Sequence, residues 1–172
     1  MDRGTYLTVD DGRPAVRFRR RYAHSPQRVW TAVTDPAQLS VWFPATVTFE
    51  PRVGGTITFT GDDYAEDMTG TVLTFEPPTR FAFTWGADEV HLHVTPDADG
   101  AILTLLNVLE RRDAAARNAA GWDVCLRELD NVVDGIETAG PHSDSAQPWQ
   151  PLYDEYVAAG LPAGAPVPGV GD

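Results

Sequence analysis

Four groups of side chains in this sequence have the type or spacing to do chemistry. His91 and His93 stand two residues apart with Glu89 beside them, a spacing that puts two imidazoles and a carboxylate on one face of a strand, as a metal site would need. Val90, Leu92 and Val94 form the better core face of that stretch, so the histidines are expected to point outward, and no metal site is assigned. Cys125, the sole cysteine, could act as a nucleophile only with a lowered pKa and a base at hand. No histidine lies near it in sequence, and it reads as a small core hydrophobe. Asp62, Asp63, Glu66 and Asp67 crowd one turn but lack the pattern of a calcium loop. His24 next to Ser25 is better explained by a helix cap than by serine chemistry, and nothing resembles a nucleophile elbow. No catalytic residue is assigned, and the chain is expected to be non-catalytic or weakly catalytic.

A ligand cavity has better candidates. Trp30, Trp42, Phe59, Trp85 and Trp122 are large apolar groups that serve equally as core or as cavity walls. Asn107 stands in phase with Leu103 and Leu105 on an otherwise apolar face. A buried Asn needs partners, which a ligand or an ordered water would supply. With Cys125 these residues make up the candidate ligand-binding set.

The elements that must position them follow from periodicity. Ala15 to Ala23 partly alternates, with Val16, Phe18, Arg20 and Tyr22 on one face and Arg17, Arg19 and Arg21 on the other. The arginine row reads as the wet side of a strand in preference to an anion site. Ser25-Pro26 and Asp35-Pro36 each pair an N-cap with a first-turn proline, predicting short helices over about 26–33 and 36–43. Six strands are then predicted over about 46–50, 56–60, 69–76, 80–85, 89–94 and 101–109, joined by hairpin-length turns. Asp113 is a candidate cap for a long helix running to Asp134 and closed by Gly135, with one apolar side that must lie against the sheet. Trp149, Leu152, Tyr153 and Tyr156 mark one face of a short amphipathic helix. Gly160 to Asp172, rich in Gly, Ala and Pro, is expected to be mobile. The expected organisation is a domain over 1–138 and a C-terminal extension over 139–172. The fold class is α+β: a curved antiparallel sheet of six or seven strands around a long C-terminal helix, with two short helices after the first strand.

Composition bounds the function. The chain has 172 residues, 13 of them basic and 25 acidic, for a net charge of −12. All the basic residues are arginine, so Schiff-base and phosphate-loop lysine chemistry are excluded. So acidic a chain repels phosphate backbones and anionic lipid, which argues against nucleic-acid and membrane partners. No apolar run approaches the ~20 residues of a membrane span, and the N-terminus lacks a signal-peptide apolar region. A cytoplasmic location is expected.

Ser25-Pro26-Gln27-Arg28-Val29-Trp30-Thr31-Ala32-Val33-Thr34-Asp35-Pro36 resembles the opening of the START-like SRPBCC superfamily, and more narrowly of the Hsp90 ATPase-activator homologue (AHSA-type) family. Trp42-Phe43-Pro44, Val53-Gly54-Gly55, Thr69 to Leu73 with Pro77 to Phe81, Thr84-Trp85, and Gly121-Trp122 with Leu126 and Leu129 follow at the family's spacing. The resemblance implies a helix-grip fold with an internal pocket. Superfamily relatives bind lipids, hormones or polyketides, some catalyse cyclisation, aromatisation or hydrolysis, and eukaryotic namesakes stimulate a chaperone ATPase. Asn107 replaces a histidine common in relatives, which weakens an acid–base role there. The leading expectation is a bacterial-type metabolite- or stress-related protein that binds a small apolar molecule between sheet and terminal helix, without a cofactor. One alternative is a polyketide cyclase or aromatase-like enzyme, with Asn107, Cys125 and Tyr64 as its weak candidates. The other is an interaction module, chaperone-linked or homodimeric through the Trp149 to Tyr156 face.

Overall fold

The computed structural model describes residues 3–167. Eight strands form one antiparallel sheet in the order β1-β2-β8-β7-β6-β5-β4-β3. They are β1 (Thr5–Thr8), β2 (Pro14–Tyr22), β3 (Thr46–Phe49), β4 (Thr56–Thr60), β5 (Met68–Glu76), β6 (Arg80–Trp85), β7 (Asp88–Asp97) and β8 (Gly100–Val108). The helices are α1 (Pro26–Thr34), α2 (Pro36–Trp42), α3 (Ala115–Asp134) and α4 (Trp149–Ala158). This is the helix-grip α+β architecture. The strand beyond the expected six or seven is β1, a four-residue edge that pairs Thr5 with Arg17 and Thr8 with Pro14.

Local chemistry sets the helix boundaries. Ser25 Oγ accepts the Arg28 N–H at 3.2 Å, and Pro26 takes the first turn of α1. Asp35 ends α1 and begins α2 in one residue, and its extended backbone makes the bend between them. Gly135, at φ 73°, closes α3 in the left-handed conformation that glycine adopts without Cβ strain. Asp113 does not cap α3. It sits in a 3-10 turn, and its carboxylate takes the Arg111 guanidinium at 2.7 and 3.0 Å.

Alternation decides what the sheet buries. Val16, Phe18, Phe81, Phe83, Val90, Leu92, Leu103 and Leu105 all face inward and are buried. His91 and His93 face outward as expected, and His91 Nε2 lies 2.9 Å from Glu89 Oε1. A bulge between Val72 and Thr74 shifts the phase of β5, so that Phe75 lies opposite Phe81.

The long helix departs from the one-sided expectation. Its outer side is buried as well, because α4 and the segment leading to it fold back over it. Leu152 and Tyr156 are buried, and so are Asp123 and Glu128. The first part of the expected mobile tail is tied down: Pro162 O accepts the Ala116 N–H at 2.9 Å, and Ala165 N–H donates to Asp113 O at 3.2 Å. Residues 168–172 of that tail lie outside the described residues. Among the described residues, no helix is long and apolar enough to cross a membrane.

Candidate functional site

The space between sheet and α3, where a cavity was expected, is filled by rings. Phe43 stands at the centre, with ring centroids 5.6 Å from Phe59, 6.0 Å from Phe83, 5.4 Å from Trp85 and 5.7 Å from Trp122. Trp85 and Trp122 are themselves 5.4 Å apart. Trp42 touches Phe43 edge-on and donates its indole N–H to Ala32 O at 3.0 Å. Phe59, Trp85, Trp42 and Trp122 of the candidate set thus come together as one packed aromatic stack. Offset and edge-to-face contacts of this kind add to the area they bury.

Asn107 is fully buried, and its partners are protein groups in place of the expected ligand or water. Its Nδ2 donates to Asp88 Oδ2 at 3.1 Å and Glu89 O at 3.2 Å. Its Oδ1 accepts from Trp122 Nε1 and Asn118 Nδ2, each at 3.0 Å. Asp88 completes the network by accepting the Glu110 and Asn118 N–H groups. The side chain has no capacity left for a ligand. It works as a fastener between the ends of β7 and β8 and the first turns of α3. Burial pushes the Cys125 thiol far up, with Asp62 and Glu128 adding to the shift. A thiol held neutral in this way does not supply a nucleophile.

Trp30 stands apart from that stack. It packs on Phe75 at 5.9 Å, and Phe75 lies 6.0 Å from Phe49. Phe81 supports both phenylalanines from below, at 4.7 and 5.7 Å. Trp30, Phe49 and Phe75 form the floor of a cleft of about 350 Å³ where α1 and the start of α2 face β3 and β5. Gln27, Thr31, Thr34 and Asp35 make its polar rim, and Pro36 and Pro51 complete its walls. Size and mixed lining suit a small organic molecule. Of the candidate set, this cleft uses only Trp30. Phe49 and Phe75 were missed. The strand around Phe49 was readable, but Phe75 turns inward only through the β5 bulge, which strict alternation does not reveal.

A second cleft, of about 390 Å³, lies outside α3 between Glu128, Asn131 and the stretch from Glu137 to Ser145. Its lining is mainly polar, and its buried carboxylate, Glu128, already accepts the Thr138 hydroxyl.

Residues 23–134 match the family model described as activator of Hsp90 ATPase homolog 1-like protein. No curated protein matches the chain. Among solved structures, the crystal structure of CalU16 from Micromonospora echinospora is similar with a TM-score of 0.68 and 23% identity, covering 91% of this chain and 92% of that one. The conserved protein of unknown function EF2215 from Enterococcus faecalis gives a TM-score of 0.71 at 20% identity, over 91% and 89% of the two chains. A protein from Rhodobacter sphaeroides is 31% identical with a TM-score of 0.59, over 72% of this chain and 93% of its own. These likenesses extend the helix-grip fold to proteins of varied source.

Proposed function

Because the chain belongs to the activator of Hsp90 ATPase homolog 1-like family, whose scaffold is of the ligand-binding and cyclase type, we propose that it binds a small, largely apolar molecule in the cleft between α1, α2, β3 and β5. The observation that carries this reading is the aromatic floor of Trp30, Phe49 and Phe75 beneath an open cleft of about 350 Å³. Trp30 is the candidate contact residue. Trp42, Phe59, Trp85 and Trp122 would shape the cleft indirectly, as the rigid body on which α1 and α2 rest. Rigid support of this kind keeps a site preformed.

The cyclase or aromatase alternative finds less support. Asp35 is the only titratable side chain in the lining, so the cleft offers no acid–base pair. Asn107 and Cys125 are engaged or buried, and Tyr64 stands on an exposed loop against His142. The dimer alternative finds less support, because Leu152 and Tyr156 of that face are buried within the chain, while Trp149 and Tyr153 stay partly exposed.

The test is native mass spectrometry of freshly purified protein, followed by NMR titration with small aromatic fragments. A fragment should shift the Trp30 indole signal and the Phe49 and Phe75 amides. Phe75→Ser should weaken it by about tenfold, the loss expected for one buried aromatic contact. Shifts gathered at Trp85 and Trp122 instead would overturn this placement.

A further inference from the structure

We infer that the molecule the cleft takes is an organic cation, a protonated amine on a small apolar or aromatic body. This rests on the cleft being the binding site and adds the sign of the ligand's charge.

The inference comes from counting donors and acceptors around the rim. Thr34 Oγ1 donates its proton to Trp30 O at 2.7 Å, and Thr31 Oγ1 donates to Gln27 O at 3.0 Å. Both hydroxyls have committed their only proton to their own helix, so each presents lone pairs alone. Gln27 Nε2 is turned to Thr31 Oγ1 at 3.4 Å, which leaves its Oε1 as an acceptor and one amide N–H as a donor. Asp35 takes Gln38 Nε2 on Oδ2 at 3.3 Å, and its Oδ1 has no partner among the described residues. The Asp35 N–H is committed to Thr31 O at 2.9 Å. Pro36 and Pro51 have no backbone N–H to give. No Lys, Arg or His belongs to the lining.

The cleft therefore offers one carboxylate and more acceptors than donors, above aromatic rings. The faces of Trp30, Phe49 and Phe75 carry negative charge density, which attracts a cation lying over them. An anion would find only the Trp30 indole N–H and the second Gln27 amide N–H, with no cationic side chain in the lining and the Asp35 carboxylate beside it. A neutral apolar molecule would cover the rim acceptors without pairing them, which costs free energy. An ammonium group satisfies them and meets the Asp35 carboxylate. The net charge of −12 adds a long-range attraction of the same sign.

Three probes with one phenyl body separate the possibilities: 2-phenylethylammonium, 2-phenylethanol and 3-phenylpropanoate. Each is titrated into the full chain and followed at the Trp30 indole signal. The ammonium should bind about tenfold tighter than the alcohol, in line with a cation–π contact plus a partly exposed carboxylate. The propanoate should bind weakest. Asp35→Asn, checked for wild-type spectral dispersion, should bring the ammonium down to the level of the alcohol. Raised salt should weaken the ammonium and leave the alcohol unchanged. Equal binding of ammonium and alcohol would overturn the cation inference while keeping the cleft. A preference that survives Asp35→Asn would overturn the role of its carboxylate. If none of the three moves the Trp30 signal, the cleft itself is overturned as the site.

Discussion

The two sides of α3 are sealed by different chemistry. On the inner side Trp122 joins Phe43, Phe59, Phe83 and Trp85 in an aromatic stack. On the outer side, which at Asp123 reaches round to the inner face of β2, the contacts turn on two buried carboxylates. Asp123 accepts the Tyr156 hydroxyl and the Arg20 guanidinium, the latter at 3.1 Å, and Glu128 accepts the Thr138 hydroxyl. The inner side draws on many non-directional contacts, so its stability is shared. The outer side depends on a few directional bonds in places that water cannot reach, where each lost partner leaves an unsatisfied group. The inner side should therefore govern whether the chain folds. The outer side should govern whether the C-terminal extension stays down.

The sharpest way to break this contrast is at Phe43. Its ring meets five other rings, and Phe43→Ala would open a void among them. The expected loss is about 3–5 kcal/mol of global stability, read as a lower urea midpoint. A loss below about 1 kcal/mol would mean that the stack is loosely packed.

Asp123→Asn addresses the outer side. The new amide keeps one oxygen for Arg20 but presents N–H₂ to the Tyr156 hydroxyl and removes the charge that faces the guanidinium. Arg20 is only 5% exposed, and its Nε and Nη1 already lack hydrogen-bond partners among the described residues. The expected cost is about 1–3 kcal/mol. It should fall first on local opening: hydrogen exchange at the α4 amides speeds up before that of β7 and β8 does. Uniform acceleration across sheet and α4 would show that the extension and the core unfold as one unit.

The sequence showed the inner side far better than the outer. Caps at Ser25 and Gly135, strict alternation in β4, β6 and β7, and the Trp122–Leu126–Leu129 stripe are local signals that tertiary packing reinforced. Charges at Asp123 and Glu128 on a helix read as solvent-facing, because their partners, Tyr156 and Thr138, lie on an extension whose path back over the helix has no local signature. Arg20 fell in phase with Val16 and Phe18, which marked it as inward-facing. Its partner is on α3, 103 residues away. Strand β1 escaped because four residues carry little periodic signal. The cleft was half legible: Trp30 came from the helix pattern, whereas Phe75 depends on a bulge that breaks the period.

The inner side also has a polar end, and a titration there refines the contrast. Asp88 accepts N–H groups from Glu110, Asn107 and Asn118 beside the Trp122 indole. Burial pushes its carboxyl above the ordinary aspartate range, and the hydrogen bonds from Glu110 and Asn107 only partly oppose that push. A pKa raised by folding means that the folded state holds the proton more tightly than the unfolded chain does. Stability from this group is then fully present below the unfolded value and is lost as pH rises through the folded one. Asp88→Asn removes the titration, although its amide disturbs one accepted bond. The stability difference between wild type and variant should therefore shift in favour of the variant as pH is raised through and above the ordinary aspartate range. A carboxyl carbon NMR titration of Asp88 checks this directly. A midpoint at or below the usual aspartate value would mean that the donors outweigh burial at this end of the inner side.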